Sequence, residues 1–267
     1  MLVLLTNDDG LGAPGLHALA DALTQYGHEV WIAAPASDQS GVSHGLSLTV
    51  PLRIDKPDER VFSCCGKPAD CVIAAFDGLL PRLPDAVLSG INNGANLGTD
   101  LVFSGTAAAA RQAAIHGVPG IAVSLVLDDG NLFVPEAGGP PRWEPLARFA
   151  AENLETLAGL CRRDLFLSLN AASLPSYKGG KMTSLCRRVY HDTLRFSPPQ
   201  NGPAHSAFEC VFSGGSIDTV SSAGDDWDAV RAGYVSVSPI LAQPAVCPEV
   251  LAARPVWKTG KNPEEVS

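Results

Sequence analysis

Two aspartates stand side by side at Asp8 and Asp9, within Thr6-Asn7-Asp8-Asp9-Gly10, directly after the apolar run Leu2 to Leu5. Adjacent carboxylates repel unless something positive compensates them. A hard divalent ion such as Mg²⁺ or Mn²⁺ takes oxygen ligands and often bridges carboxylate to phosphate, so it meets that need economically. The pair alone is a weak signal, because Asp-Asp-Gly is also a common solvated turn and the same tripeptide recurs at Asp128-Asp129-Gly130.

Two more segments supply what such an ion and a phosphate require. One is Ala34-Pro35-Ala36-Ser37-Asp38-Gln39-Ser40-Gly41-Val42-Ser43, and the other is Ser89-Gly90-Ile91-Asn92-Asn93-Gly94-Ala95-Asn96-Leu97-Gly98. Ser and Asn bring neutral oxygen ligands and hydrogen-bond donors, while Gly permits the close backbone approach of an anion cradle. Singly each reads as an ordinary loop; together at one sheet edge they read as a shared site. Phe103-Ser104-Gly105-Thr106 then runs straight into an alanine-rich helix, and a capped helix start with free amides is a ready phosphate site. Simple capping by Ser104 or Thr106 is compatible with that role.

The elements that must position these residues alternate. Leu2 to Leu5 reads as a strand buried on both faces. Leu16, Leu19, Ala20 and Leu23 keep helical spacing, and Glu29 to Ala33 returns as a strand, completing a βαβ unit. Further on come a helix near 70–80, a strand at 86–88, a helix around 106–115, a strand at 121–125, a helix over 144–160 and a strand at 165–169. This order predicts an α/β fold with a Rossmann-like, doubly wound, mostly parallel sheet, which binds ligands beyond the carboxyl ends of its strands. From about Pro175 short β-like pieces separated by Ser, Gly and Pro take over. The expected division is therefore a catalytic core over 1–175 and a β-rich oligomerisation appendage over 176–267 within the same structural unit. The Gly/Pro-rich stretch 128–141 reads as an exposed loop.

Composition narrows the function classes. A formal net charge of −9 with no Lys/Arg run argues against a nucleic-acid-binding surface. Seven cysteines without a Cys-x-x-Cys pair suggest neither a disulfide framework nor a zinc knuckle, which fits a reducing cytoplasm. No apolar stretch approaches a membrane span, and no signal-peptide pattern precedes Asn7. Ser40 lacks the Gly-x-Ser-x-Gly elbow of a serine nucleophile. His44 reads as a surface or hydrogen-bonding histidine with a possible part at the leaving group, and Cys64 and Cys65 as buried small apolar residues. A dinucleotide binder would want Gly-x-Gly-x-x-Gly after its first strand, where this chain has carboxylates.

With these stretches in order, together with Gly66-Lys67-Pro68-Ala69-Asp70-Cys71-Val72 and Gly233-Tyr234-Val235-Ser236-Val237, the sequence resembles the SurE family of stationary-phase survival proteins, which are 5′/3′-nucleotidases. The resemblance implies one divalent cation, Mg²⁺ or Mn²⁺, held by Asp8, Asp9, Ser40 and Asn92. It implies phosphate contacts from Asn96, Ser104, Gly105 and Thr106, with Asp8, Asp9 and Asn96 in the catalytic set. A nucleoside monophosphate is the implied substrate, with polyphosphate beside it. A C-terminal arm exchanged between subunits implies a homodimer or homotetramer. The chain departs from the family at Arg111-Gln112, where an acidic residue is usual, and in a longer 128–141 loop.

Overall fold

The structure, a computed structural model, describes residues 1–127, 139–197, 209–212 and 215–245. The first elements are β1 (Leu2–Thr6), α1 (Pro14–Gln25), β2 (Glu29–Pro35), β3 (Ile54–Asp58), β4 (Val61–Cys64) and α2 (Pro68–Ala74). They are followed by β5 (Ala86–Asn93), α3 (Gly105–Ile115), β6 (Gly120–Val126), α4 (Trp143–Glu152), α5 (Leu154–Leu160) and β7 (Leu165–Ala172). The remainder comprises β8 (Gly180–Met182), β9 (Arg187–Tyr190), β10 (Leu194–Ser197), β11 (Glu209–Phe212), β12 (Ile217–Val220), α6 (Asp226–Arg231) and β13 (Val235–Leu241).

The central sheet has the order β3-β4-β2-β1-β5-β6-β7-β13-β8, parallel from β4 to β7, with β3 and β13 running against their neighbours β4 and β7. Successive residues of β1 feed opposite faces, as the period of a strand requires. Val3 and Leu5 pack with Leu16, Leu19 and Leu23 of α1 and Leu146 of α4. Leu4 packs with Cys71 and Val72 of α2 and Ala109 and Ala113 of α3. The expected doubly wound α/β sheet is thus present, with helices on both faces.

The chain leaves β1 towards β2 and later returns to β1's other side as β5. The strand order reverses there, so the crevice between β1 and β5 is the place where such a sheet takes ligands. Close packing holds the crevice's two walls. A Cβ on Gly15, at the start of α1, would lie 2.1 Å from the Ile91 carbonyl oxygen of β5, so α1 sits against the strand only because residue 15 lacks a side chain.

Several boundaries differ from the sequence reading. β5 continues to Asn93 rather than stopping at Leu88, because its pairing with β6 shifts register between Ser89 and Asn92 and then resumes. Such an irregularity re-aims side chains at a strand end. The helix expected over 144–160 is two helices, since Asn153 leaves helical geometry and its Nδ2 donates to the Phe149 carbonyl at 2.8 Å, capping α4. The helix expected to reach residue 80 passes into a wide π-type turn at Ala75–Leu79. The strand read at 208–212 is seen as β11 from Glu209. The expected loop is described only at its end, from residue 139, and Cys247 with any exchanged arm beyond residue 245 lies outside the described residues. β13 pairs with β7 from Ser236–Asn170 to Leu241–Leu165, which places part of the 176–267 segment inside the central sheet.

Candidate functional site

Asp8 follows β1 directly and is buried. Its carboxylate meets the beginning of α3. The Thr106 hydroxyl donates to Asp8 Oδ1 at 2.5 Å and the Thr106 amide donates to Oδ2 at 3.1 Å. A Cβ on Gly105 would come within 2.9 Å of Asp8 Oδ2, so glycine at the first helical position is what lets the helix start rest on the aspartate. Ser104 caps the same helix, its Oγ accepting from the Ala107 amide at 2.9 Å. Thr106 and Ala107 have their amides engaged in this way, and the Gly105 amide is the remaining donor of the first turn.

Asn92 reaches the same point from β5, with its Oδ1 3.3 Å from the Thr106 hydroxyl and its Nδ2 donating to the Gly94 carbonyl at 3.0 Å. Ser40 arrives from the loop after β2, anchored by Asp38, whose Oδ1 accepts from the Ser40 amide at 2.8 Å and the Ser40 hydroxyl at 2.6 Å. With its proton committed to Asp38, the Ser40 oxygen keeps lone pairs available to a ligand. Asn96 is fixed from two sides. Its amide N–H donates to Asn170 Oδ1 at 2.8 Å, and its side-chain Nδ2 donates to Ser124 Oγ at 2.8 Å.

Asp8, Ser40, Asn92, Asn96 and Ser104 line one hollow of about 190 Å³, together with Gly41, Ala95, Asp100, Phe103 and Tyr190. Asp9 is turned to the neighbouring hollow of about 440 Å³, which it lines with Asp38, Asn93 and Trp143. One of its oxygens, Oδ2, accepts from the Asn93 amide at 3.1 Å. The two aspartates therefore flank the boundary between two hollows.

Electrostatically the site is short of positive charge. Burial pushes the Asp8 carboxyl above the usual range against the opposing pull of its Thr106 bonds. Burial, then the Asp8 charge, raises Asp9 to about 6. Asp38 adds to both. Among the described residues, the ion pair Arg188–Asp100 borders the same hollow through Asp100, and no ion pair is made by Asp8, Asp9 or Asp38. Among the described residues no group of three or more His, Cys, Asp or Glu is poised to hold a metal. A cation here would have to take carboxylates with neutral hydroxyl and amide oxygens, a donor set that suits Mg²⁺ or Mn²⁺ and not zinc.

The model of the survival protein SurE family matches residues 3–192. The chain belongs to the SurE family. A 5′-nucleotidase SurE of Xanthomonas campestris is 39% identical over 242 residues, covering 90% of this chain and 89% of that protein. A 5′-nucleotidase SurE of Synechococcus elongatus is 38% identical over 250 residues, covering 90% and 93%. In three dimensions the SurE protein from Aquifex aeolicus superimposes with a TM-score of 0.74 at 31% identity, covering 92% of this chain and 95% of that one.

Against this SurE scaffold, several residues that build the site had escaped the sequence reading. Asp38 carries the Ser40 loop, and its signal was the Asp-x-Ser spacing of a local side-chain turn. Ser124 and Asn170 hold Asn96 but sit on β6 and β7, far away in sequence, and nothing local marks them. Asp100, Arg188 and Tyr190 form a further wall. Asp100 Oδ2 accepts from Arg188 Nη1 at 2.6 Å, and Oδ1 accepts from the Tyr190 hydroxyl. His44 is tied to Gln112, Nε2 to Oε1 at 2.7 Å, so the departure at residue 112 partners a histidine of the Ser40 loop. Cys64 is buried as expected, but Cys65 is exposed, because successive residues of an extended chain alternate faces.

Proposed function

We propose that the chain is a metal-dependent phosphomonoesterase, a 5′-nucleotidase that hydrolyses nucleoside monophosphates to nucleoside and phosphate, with 3′-nucleotides and polyphosphate in its range. The observation that carries this reading is the meeting of β1, β2, β5 and α3 at one hollow, where Asp8, Ser40, Asn92, Asn96 and Ser104 face each other. The relatives named 5′-nucleotidase SurE support the reaction class.

The proposed cofactor is one divalent cation, Mg²⁺ or Mn²⁺, held by Asp8, Asp9, Ser40 and Asn92. Two raised carboxylates with no ion-pair partner among the described residues and a neutral-oxygen complement are the surroundings such an ion fits. When bound, it supplies charge neutralisation and Lewis-acid polarisation of a phosphoryl oxygen.

The chain's own groups do the rest. Thr106 fixes both oxygens of Asp8, so Asp8 acts as an oriented ligand and not as a base. Asp9 keeps one oxygen clear of the Asn93 amide and is the group placed to accept a proton from the attacking water. The positive end of α3 and the Gly105 amide receive the phosphate, and Asn96, held by Ser124 and Asn170, needs no rearrangement to donate to it. In the in-line step the water oxygen bonds to phosphorus, the ester P–O bond breaks, and the nucleoside oxygen leaves and takes up a proton. The assembly proposed is a cytoplasmic homodimer or homotetramer.

Phosphate release from a nucleoside 5′-monophosphate, measured with Mg²⁺ or Mn²⁺, tests the reading. Chelator is expected to abolish it, and Asp8→Asn to lower kcat on the order of a thousandfold. Hydrolysis that survives chelation would overturn the metal assignment, and no hydrolysis at all would leave a nucleotide-binding module.

A further inference from the structure

The polar hollow has an aromatic mouth that the phosphate chemistry does not explain. Phe103 and Tyr190 line the same hollow as Asp8, Asn96 and Ser104, yet their side chains remain open to solvent, Phe103 at 53% and Tyr190 at 37%. Large exposed apolar surface next to a ligand site is a recognition feature more often than an accident. Neither ring is used in packing against another aromatic: the ring pairs of the described residues are Trp31–Phe62 and Phe76–His116.

The Tyr190 ring and the Phe103 backbone are nevertheless held in place. The Tyr190 hydroxyl donates to Asp100, a buried carboxylate that Arg188 and the Leu97 amide also bind. The Arg188 guanidinium lies 5.8 Å from the Tyr190 ring centroid. Phe103 follows directly from the short helical turn at Gly98–Val102, where its amide donates to the Asp100 carbonyl at 3.0 Å and its own carbonyl accepts from the Ser43 amide at 3.0 Å. One buried residue, Asp100, thus holds the Tyr190 ring through its carboxylate and the Phe103 backbone through its carbonyl, and Phe103 is the immediate neighbour of the phosphate-cradling Ser104.

The volume points the same way. About 190 Å³ falls short of the roughly 300 Å³ from which enclosed small-molecule pockets begin. A nucleotide whose phosphate lies at Ser104 and Gly105 must carry its base out to the rim, where these rings stand.

We propose that Phe103 and Tyr190 are the nucleobase-recognition residues of this site, stacking the base of a nucleoside monophosphate at the mouth of the hollow whose floor takes the phosphate. The inference rests on the nucleotidase reading and adds to it the part of the substrate that is recognised. Stacking on a π-face serves every base, so the preference conferred is for a nucleotide over a base-free sugar phosphate rather than for one base.

The test compares kcat/KM for a nucleoside 5′-monophosphate with that for ribose 5-phosphate, which has the same phosphate and sugar and no base. The wild-type ratio favours the nucleotide, and Phe103→Ala and Tyr190→Leu each lower that ratio about tenfold, mainly through KM for the nucleotide. Tyr190→Phe, which keeps the ring, retains most of it. Should Tyr190→Leu fail to fold after losing its bond to Asp100, the exposed Phe103→Ala still decides. A wild type that hydrolyses both substrates equally well, or a ratio unmoved in Phe103→Ala, overturns the stacking role while leaving the nucleotidase reading intact. A ratio that falls in Trp143→Ala instead places the base in the hollow beside Asp9 and also overturns it. A wild type that hydrolyses neither substrate removes the nucleotidase reading itself.

Discussion

Thr106 orients the Asp8 carboxylate, the group proposed to hold the cation, although it is not an acid, a base or a nucleophile. Its hydroxyl and amide both donate to the buried carboxylate, and a buried acceptor that loses a donor costs about 1–3 kcal/mol. Thr106→Val, equal in size, is expected to lower the melting temperature by several degrees and kcat by about tenfold or more, and Thr106→Ser to restore both. Thermal unfolding and phosphate release measure the two effects. Asp9 sets a pH dependence. Its carboxyl is raised from 3.8 to about 6 in the folded, metal-free protein, so the folded state binds a proton more tightly than the unfolded chain. The stability this contributes is complete below pH 3.8 and is lost as pH rises through about 6. Metal-free protein should therefore melt lower at pH 8 than at pH 5, and added Mg²⁺ should raise the melting temperature more at pH 8; equal gains at both values would contradict this. At this scale the Asp8-Asp9 pair and the Ser/Asn/Gly-rich segments 34–43 and 89–98 were legible because such types are unusual together after strands, while Ser40 and Asn92 were singled out within them only by the family resemblance. Tyr190 and Asn170 were not, since only the folded chain brings them to the site.

The elements explain why four separate stretches of sequence meet. α1 and β5 can approach only because Gly15 leaves room for the Ile91 carbonyl. Gly15→Ala forces that backbone away and is expected to cost about 1–3 kcal/mol, with a matching loss of kcat because Asn92 follows Ile91. Gly12→Ala, with nothing within 4 Å of its added Cβ, should stay within about 0.5 kcal/mol; denaturant unfolding of the pair measures the contrast. The alternating strands and helices through 169 were readable from apolar period alone, since each buries one face or stripe. The break at Asn153 and the extension of β5 past Leu88 were not. A side-chain bond to Phe149 decides the first, and pairing with a strand some thirty residues away decides the second.

For the whole molecule, the topology places the site at the point where strand order reverses between β1 and β5, and no helix among the described residues is long and apolar enough to cross a membrane. The hairpin of β10 and β11 exposes Phe196, Val211 and Phe212, apolar surface consistent with the proposed assembly. Light scattering should accordingly give two or four times the mass of one chain, and a monomer would refute it. The central claim concerns the cation at the meeting point of β1, β2 and β5. Its most direct test is titration of Mn²⁺ into chelator-treated protein, followed by electron paramagnetic resonance, in the wild type and in Asp8→Asn. One tightly bound Mn²⁺ per chain in the wild type, lost in Asp8→Asn, is the predicted result. No bound ion, or equal binding by both proteins, would contradict it.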